Sequence, residues 1–311
     1  MSVLSTSGLT MQFGSHRALD ALDVTVERGV TGLVGANGAG KTTLMSILLG
    51  LRHATAGTAE VLGLDPRTQG AELRALVGYG AERNLFPEDM PASDFVKHLA
   101  EVRGMPRDEA RGRASDALWL VGLGEERFRA LGTMSTGQRQ RVKLAQAIAA
   151  DPSLIFLDEP TDGLDPVQRD EMLALIRQIS AEYAIDVMLS SHLLEEVERI
   201  CDNVVALDAG RLVASGPLDA LVGNDEGVTV ELVAVDDRPG AIDQVRAAVA
   251  SRGLEVRDRG ANGTFDVVGS DPDLIADAVR DSVADAGARL RRVARRRRRL
   301  EDLFHAHGGG K

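Results

Sequence analysis

The sequence predicts an α/β protein: a mostly parallel sheet covered by helices, with a helical subdomain set into it and a small α+β domain behind. Three observations carry this reading. Short apolar runs alternate with amphipathic segments through the first two thirds of the chain. Strand-like runs disappear between Phe86 and Ala150, where helical periodicity takes over with breakers at Pro87, Pro91, Gly104 and Pro106. The sequence then turns polar and glycine-bearing at residues 223–227, as at a domain boundary, in a 311-residue chain long enough for roughly two cores.

The elements follow in order. Residues 30–34, 154–158 and 187–190 are short, wholly apolar or nearly so, as strands buried on both faces are. The expected boundaries are 1–222 for the first domain, with its helical subdomain at about 86–150, and 223–311 for the second. The second domain reads as strand 228–235, helix 241–251, strand 254–258, strand 265–268, helix 273–286 and strand 290–294, an order that suits a ferredoxin-like α+β fold. An arginine run at 295–299 closes it.

Composition excludes several classes. Lys plus Arg total 36 against 47 for Asp plus Glu, and the net charge of −11 argues against a general polyanion binder, so no nucleic-acid partner is expected. The single cysteine, Cys201, follows the apolar face around Val197 and Ile200 and reads as a buried core thiol. The start MSVLSTSGLT has neither the basic nor the apolar region of a signal peptide, and no stretch reaches the ~18 uninterrupted apolar residues of a membrane span. A cytoplasmic location is expected, with any membrane role supplied by a partner.

GANGAGKT, residues 35–42, matches the G-x-x-x-x-G-K-[ST] phosphate loop and lies between a buried strand and a helix, as that loop requires. Gly35, Asn37, Gly38 and Gly40 let backbone N–H groups curl around β- and γ-phosphates, Lys41 adds a point charge, and the Thr42 hydroxyl can ligate Mg²⁺. Thr43 is placed to touch the α-phosphate. LIFLDEP, residues 154–160, sets two carboxylates at the end of an apolar strand, where charge is costly unless it meets a cation or does chemistry. Asp158 suits holding Mg²⁺ through water, and Glu159 suits polarising a water that attacks the γ-phosphate. The reaction is then nucleotide hydrolysis with Mg²⁺, with Lys41, Glu159 and His192 as its catalytic groups. His192 ends another strand and should share that sheet edge; taken alone, such a histidine is more often a structural hydrogen bonder. His16, His53, His98, His305 and His307 have no such context and are assigned nothing.

MSTGQRQRVKLAQ, residues 134–146, opens a helix on a Ser-Thr-Gly turn and so offers a second anion site with no phosphate of its own. The phosphate loop, MSTGQ, LIFLDEP, TDGLDP at 161–166 and SH at 191–192 together resemble the nucleotide-binding subunit of an ABC transporter across about residues 3–220. The resemblance explains the second site: Ser135, Thr136, Gly137 and Gln138 would serve the ATP of a second copy packed head to tail. It also implies that Phe13 stacks on adenine, although a core Phe beside a turn reads the same way, and that Asp165 crosses the dimer interface. LEDLFHAH at 300–307 resembles the close of ABC-2-type exporter subunits, which implies a separate transmembrane permease.

Two residues depart from the family pattern. Glu82 stands where a glutamine that senses Mg²⁺ is usual, and can itself ligate the ion. Thr136 replaces the first glycine of LSGGQ and restricts that turn. The arginine run has three open readings: a solvated charge run, contact with the anionic membrane surface, or nucleic-acid binding. The rival functions are a soluble ABC ATPase acting on ribosomes or nucleic acid, a phosphate-loop kinase or GTPase, and a regulator that binds nucleotide without hydrolysing it.

Overall fold

The computed structural model describes residues 2–82, 86–222, 224–233, 240–258, 263–269, 271–297 and 299–308. Residues 223, 234–235 and 298, which carry parts of the expected boundary, strand and arginine run, lie outside them. The chain divides into two compact units, residues 1–220 with 303–311, and residues 221–302.

The first unit opens with a long hairpin, β1 (Ser2–Phe13) and β2 (His16–Glu27), before the buried β3 (Val30–Val34) and helix α1 (Lys41–Leu48). Next come β4 (Ala56–Val61), α2 (Gly70–Leu76) and β5 (Val77–Gly80). Helices α3 (Ala92–Val102), α4 (Arg107–Leu120) and α5 (Thr136–Ile148) run with no strand between them. The fold then returns to alternation: β6 (Leu154–Leu157), α6 (Pro166–Tyr183), β7 (Asp186–Ser191), α7 (Leu194–Ile200), β8 (Asn203–Asp208), β9 (Arg211–Pro217) and α8 (Leu218–Leu221).

Two sheets result. Six strands lie in the order β5-β6-β7-β3-β8-β9, parallel except for the hairpin pair β8 and β9. Every residue of β3, β6 and β7 is buried, as expected where helices cover both faces. The remaining strands, β2-β1-β4, form a separate antiparallel sheet. The sequence reading did not separate this sheet, because its strands alternate between buried and exposed residues and so resemble any half-covered strand. Leu19, Leu22, Leu44, Met45, Leu48 and Phe156 join both sheets to α1 in one core.

The second unit contains β10 (Asn224–Val233), α9 (Ala241–Ser251), β11 (Glu255–Asp258), β12 (Thr264–Val268), α10 (Pro272–Ala286), β13 (Arg289–Arg297) and the start of α11 (Leu300–Gly308). Its strands pair antiparallel in the order β11-β12-β10-β13 around Val230, Phe265, Val267, Val245 and Val279. Residues 295–297 of the arginine run are the end of β13, and the solvated reading fails at Arg296. That side chain is 2% exposed and pairs with Asp266 at 3.0 Å and Asp302 at 3.2 Å. Thr229 donates a further bond to Asp266 at 2.7 Å, so the buried charges meet partners. Cys201 is buried, and desolvation holds its thiol well above the ordinary range. Among the described residues, no helix is long and apolar enough to cross a membrane.

One close approach sets where α5 lies. A Cβ on Gly78 of β5 would sit 2.0 Å from the Ala147 carbonyl oxygen, so only glycine lets the helix pack this near the strand. Gly78→Ala must push backbone apart and is expected to destabilise the first unit by about 1–3 kcal/mol. Urea unfolding followed by the fluorescence of Trp119, the single tryptophan, measures this.

Candidate functional site

Strand order builds the site. β7 lies between β3 and β6, all three parallel, so the segments that leave their C-terminal ends emerge side by side. Those segments are residues 35–42, Asp158-Glu159 and His192. They share a cleft of about 560 Å³ lined by Phe13, Asn37, Gly38, Gly40, Lys41, Thr42, Thr43, Glu82, Asp158, Glu159 and His192.

The phosphate loop adopts the backbone its glycines permit. Gly38 and Gly40 have φ of 86° and 105°, and a Cβ at Gly40 would lie 2.7 Å from the Ala18 carbonyl oxygen. Lys41 is buried, its Nζ donating to the Gly35 carbonyl at 2.7 Å and standing 3.4 Å from Glu159 Oε1. The α1 helix begins at Lys41 with no side-chain cap on its first N–H groups, so the loop directs a free helix start and a cation into the cleft.

One hydroxyl bonds to both acid residues. Ser190 Oγ donates to Asp158 Oδ1 at 2.6 Å and accepts the Glu159 N–H at 2.9 Å. Asp158 is 2% exposed, and its Oδ2 has no partner. Glu159 adopts φ 46°, a left-handed conformation that a non-glycine residue keeps only where its surroundings over-determine it. Its Oε2 lies 2.8 Å from His192 Nδ1, so His192 and Lys41 bracket the carboxylate.

Phe13 is no core residue: it is 41% exposed, with the Arg52 guanidinium 5.5 Å above its ring. His16 and Asp162 also line the cleft, and sequence reasoning left both out. For His16 a signal existed: the turn at Gly14 sets it opposite Phe13 across the hairpin.

The Ser135 turn, expected from the sequence as a second anion site, is not part of this cleft. Ser135 caps α5, its Oγ accepting the Gln138 N–H at 3.2 Å while Gln138 Oε1 accepts the Ser135 N–H at 3.0 Å, a reciprocal capping box. The N–H groups of Thr136 and Gly137, first in the helix, have no intrahelical acceptor. Asp165 caps α6 by accepting the Gln168 N–H at 2.8 Å. Within one chain, therefore, Ser135, Thr136, Gly137, Gln138 and Asp165 do not meet the phosphate loop. The Cβ introduced at Thr136 is accommodated by Gly163, where a Cβ would lie 3.2 Å from the Thr136 methyl.

Comparison with known proteins follows from this geometry. A family described as ABC transporter matches residues 19–162. The bacitracin transport ATP-binding protein BcrA of Bacillus licheniformis is 34% identical over 221 residues, 71% of each chain. The Nod factor export ATP-binding protein I of Ralstonia nicotianae is 30% identical over 303 residues, 97% of this chain and 92% of that one. The chain belongs to the ABC transporter family. It is an ATP-binding, ATP-hydrolysing subunit, of the kind that works as a dimer with transmembrane permease partners. The solved structure of CbiO1 of Clostridium perfringens, part of an ABC transporter complex, superposes with a TM-score of 0.64 at 27% identity, covering 70% of this chain and 90% of that one. The relatives are transporter subunits, which leaves a ribosome-bound role without support.

Lys143 is a further residue the sequence motifs did not flag in this ABC subunit. It is 4% exposed on α5, and its Nζ donates to the Glu82 carbonyl at 2.8 Å, joining that helix to the Glu82 loop. Burial pushes its ammonium down to about 8, against the opposing pull of Asp158, Asp162 and Glu82. Between about 8 and the ordinary 10.5 the unfolded chain holds a proton that the folded chain has released, so this group's contribution to stability rises with pH. Raising the pH from about 7.5 to about 9.5 is expected to shift the stability difference between wild type and Lys143→Met by about 1–2 kcal/mol in favour of wild type, read from urea midpoints.

Proposed function

We propose that this chain drives export through a separate membrane permease, working as a homodimer on the cytoplasmic face. The observation that carries the reading is the meeting of Lys41, Asp158, Glu159 and His192 in one cleft while the Ser135 turn, equally built for an anion, stands outside it. A second copy packed head to tail brings its Ser135, Thr136, Gly137 and Gln138 to the γ-phosphate, with its Asp165 beside the site. The near full-length similarity to a Nod factor export protein supports export.

The residues divide the work. Phe13 offers an exposed ring for adenine to stack on. Gly35, Asn37, Gly38, Gly40 and Thr43 bind the phosphates through the loop backbone and a hydroxyl, and Lys41 neutralises the β and γ oxygens. Glu159, oriented by His192, accepts hydrogen bonding from the water that attacks the γ-phosphorus. A new P–O bond forms, the bond to the ADP oxygen breaks, and phosphate leaves with the proton released by that water.

The residues fit Mg²⁺. Asp158 Oδ2 is a buried carboxylate oxygen without a partner, and the Thr42 hydroxyl lines the same cleft. Thr42 and Asp158 would hold the ion, with Glu82 at the rim, and it would shield the charge developing on the phosphate oxygens.

Residues 1–222 are read as the ATPase domain, with 86–150 its helical subdomain, and 223–311 as a ferredoxin-like accessory domain. The β10-α9-β11-β12-α10-β13 succession supports that reading over residues 224–297, while residues 303–311 group with the first unit. Its exposed arginines Arg291 and Arg292 offer charge for the anionic leaflet.

Two variants test the chemistry. Lys41→Ala is expected to abolish ATP binding, and Glu159→Gln to keep binding while slowing turnover by about 10²–10⁴-fold. Equilibrium nucleotide binding and phosphate release measure both, and wild-type turnover in both variants contradicts the mechanism. Purification of the tagged chain from detergent-solubilised membranes is expected to bring down a multi-span protein in fixed stoichiometry; recovery from the soluble fraction alone contradicts a transport role.

A further inference from the structure

Glu196 lies on α7 outside the cleft and outside every sequence motif, yet it is a carboxylate only 4% exposed. Such a charge is retained where its partners compensate its burial. Its Oε2 accepts Thr161 Oγ1 at 3.0 Å and Ser191 Oγ at 2.6 Å, and its Oε1 stands 3.3 Å from Arg169 Nε. Thr161 lies two residues beyond Glu159, Ser191 immediately precedes His192, and Arg169 is in the first turn of the helix capped by Asp165.

The hydroxyl bookkeeping makes the arrangement directional. Ser191 has one hydroxyl proton, which the 2.6 Å contact assigns to Glu196, and its oxygen then accepts the Leu193 N–H at 3.0 Å. The backbone is thus held on both sides of His192. On the other segment, the Glu159 N–H is held by Ser190 and the Thr161 hydroxyl by Glu196, which confines the left-handed backbone at Glu159 from both ends.

We infer that Glu196 is a positioning residue for hydrolysis: it braces residues 159–161 against residues 191–193 and so sets the Glu159–His192 distance, while its Arg169 pair ties the same brace to the segment carrying Asp165. This rests on the proposed roles of Glu159 and His192. Glu196 does not line the cleft. It acts through the geometry of groups that do, where a displacement of about 1 Å costs as much as about 10²-fold in rate.

The test uses the full chain. Glu196→Ala is expected to lower kcat about 10-fold to 100-fold while the KM for ATP stays near wild type, with a lowered thermal midpoint because Thr161, Ser191 and Arg169 lose their partner. Glu196→Gln keeps a carbonyl oxygen for both hydroxyls and is expected to recover most of the loss. Thr161→Val and Ser191→Ala, which delete one hydroxyl each, should each slow turnover and add little once combined with Glu196→Ala, as members of one network do. Wild-type kcat in Glu196→Ala overturns the inference. So does a parallel fall of kcat, ATP affinity and thermal midpoint in Ala and Gln variants alike, or full additivity in the double variants. Lys41→Ala and Glu159→Gln run beside them: if those two lose activity as expected and Glu196→Ala does not, the inference alone fails, and if they too turn over normally, the mechanism fails.

Discussion

β7 lies between β3 and β6, and the chemistry depends on that pairing. The three strands are buried throughout, so their ends can move only if the core moves with them. Phosphate loop, acid pair and histidine are carried on the ends of neighbouring parallel strands, which are about 5 Å apart, and one cleft collects all three. Ser190 and Ser191, the last residues of β7, then serve both sides, one bonded to the acid pair and the other to Glu196. The middle strand is therefore the ruler against which Glu159 and His192 are set.

Charge is distributed with the same economy. Lys41 and His192 flank Glu159, and Asp158 has one oxygen bonded by Ser190 and one buried oxygen without a hydrogen-bond partner. Lys143 carries a buried ammonium from the Ser135 helix to the Glu82 loop, where this chain departs from the family's glutamine. Thr136, the other departure, packs its methyl toward Gly163 in the loop between Glu159 and Asp165. Both departures thus lie at contacts between the Ser135 helix and the segments around the cleft. The Glu82 contact runs through its backbone carbonyl, and neither departure falls on Lys41, Asp158 or Glu159.

The strand cores and the phosphate loop were legible because each is local. Leu154–Leu157 is a continuous apolar run and Val30–Val34 nearly one, and GANGAGKT fits the phosphate-loop pattern between a strand and a helix. Strand order was not legible, since pairing β7 with both β3 and β6 joins residues more than thirty apart with no local signature. The same holds for Ser190 and Glu196, whose partners are set by tertiary packing. Arg296 was misread in part because a run of arginines hides the strand alternation that buries one of them. His16 needed only the hairpin register with Phe13 to be seen.

The central claim is that the site is completed by a second copy through the Ser135 turn. Sedimentation velocity of the Glu159→Gln chain with magnesium and ATP tests it most directly, run beside ADP and beside a Glu159→Gln/Ser135→Glu double variant. The account predicts a dimer with ATP, a monomer with ADP, and loss of the ATP-bound dimer once a carboxylate replaces the Ser135 hydroxyl at the γ-phosphate. A monomer under every condition, or a dimer indifferent to both nucleotide and the Ser135 change, would contradict it.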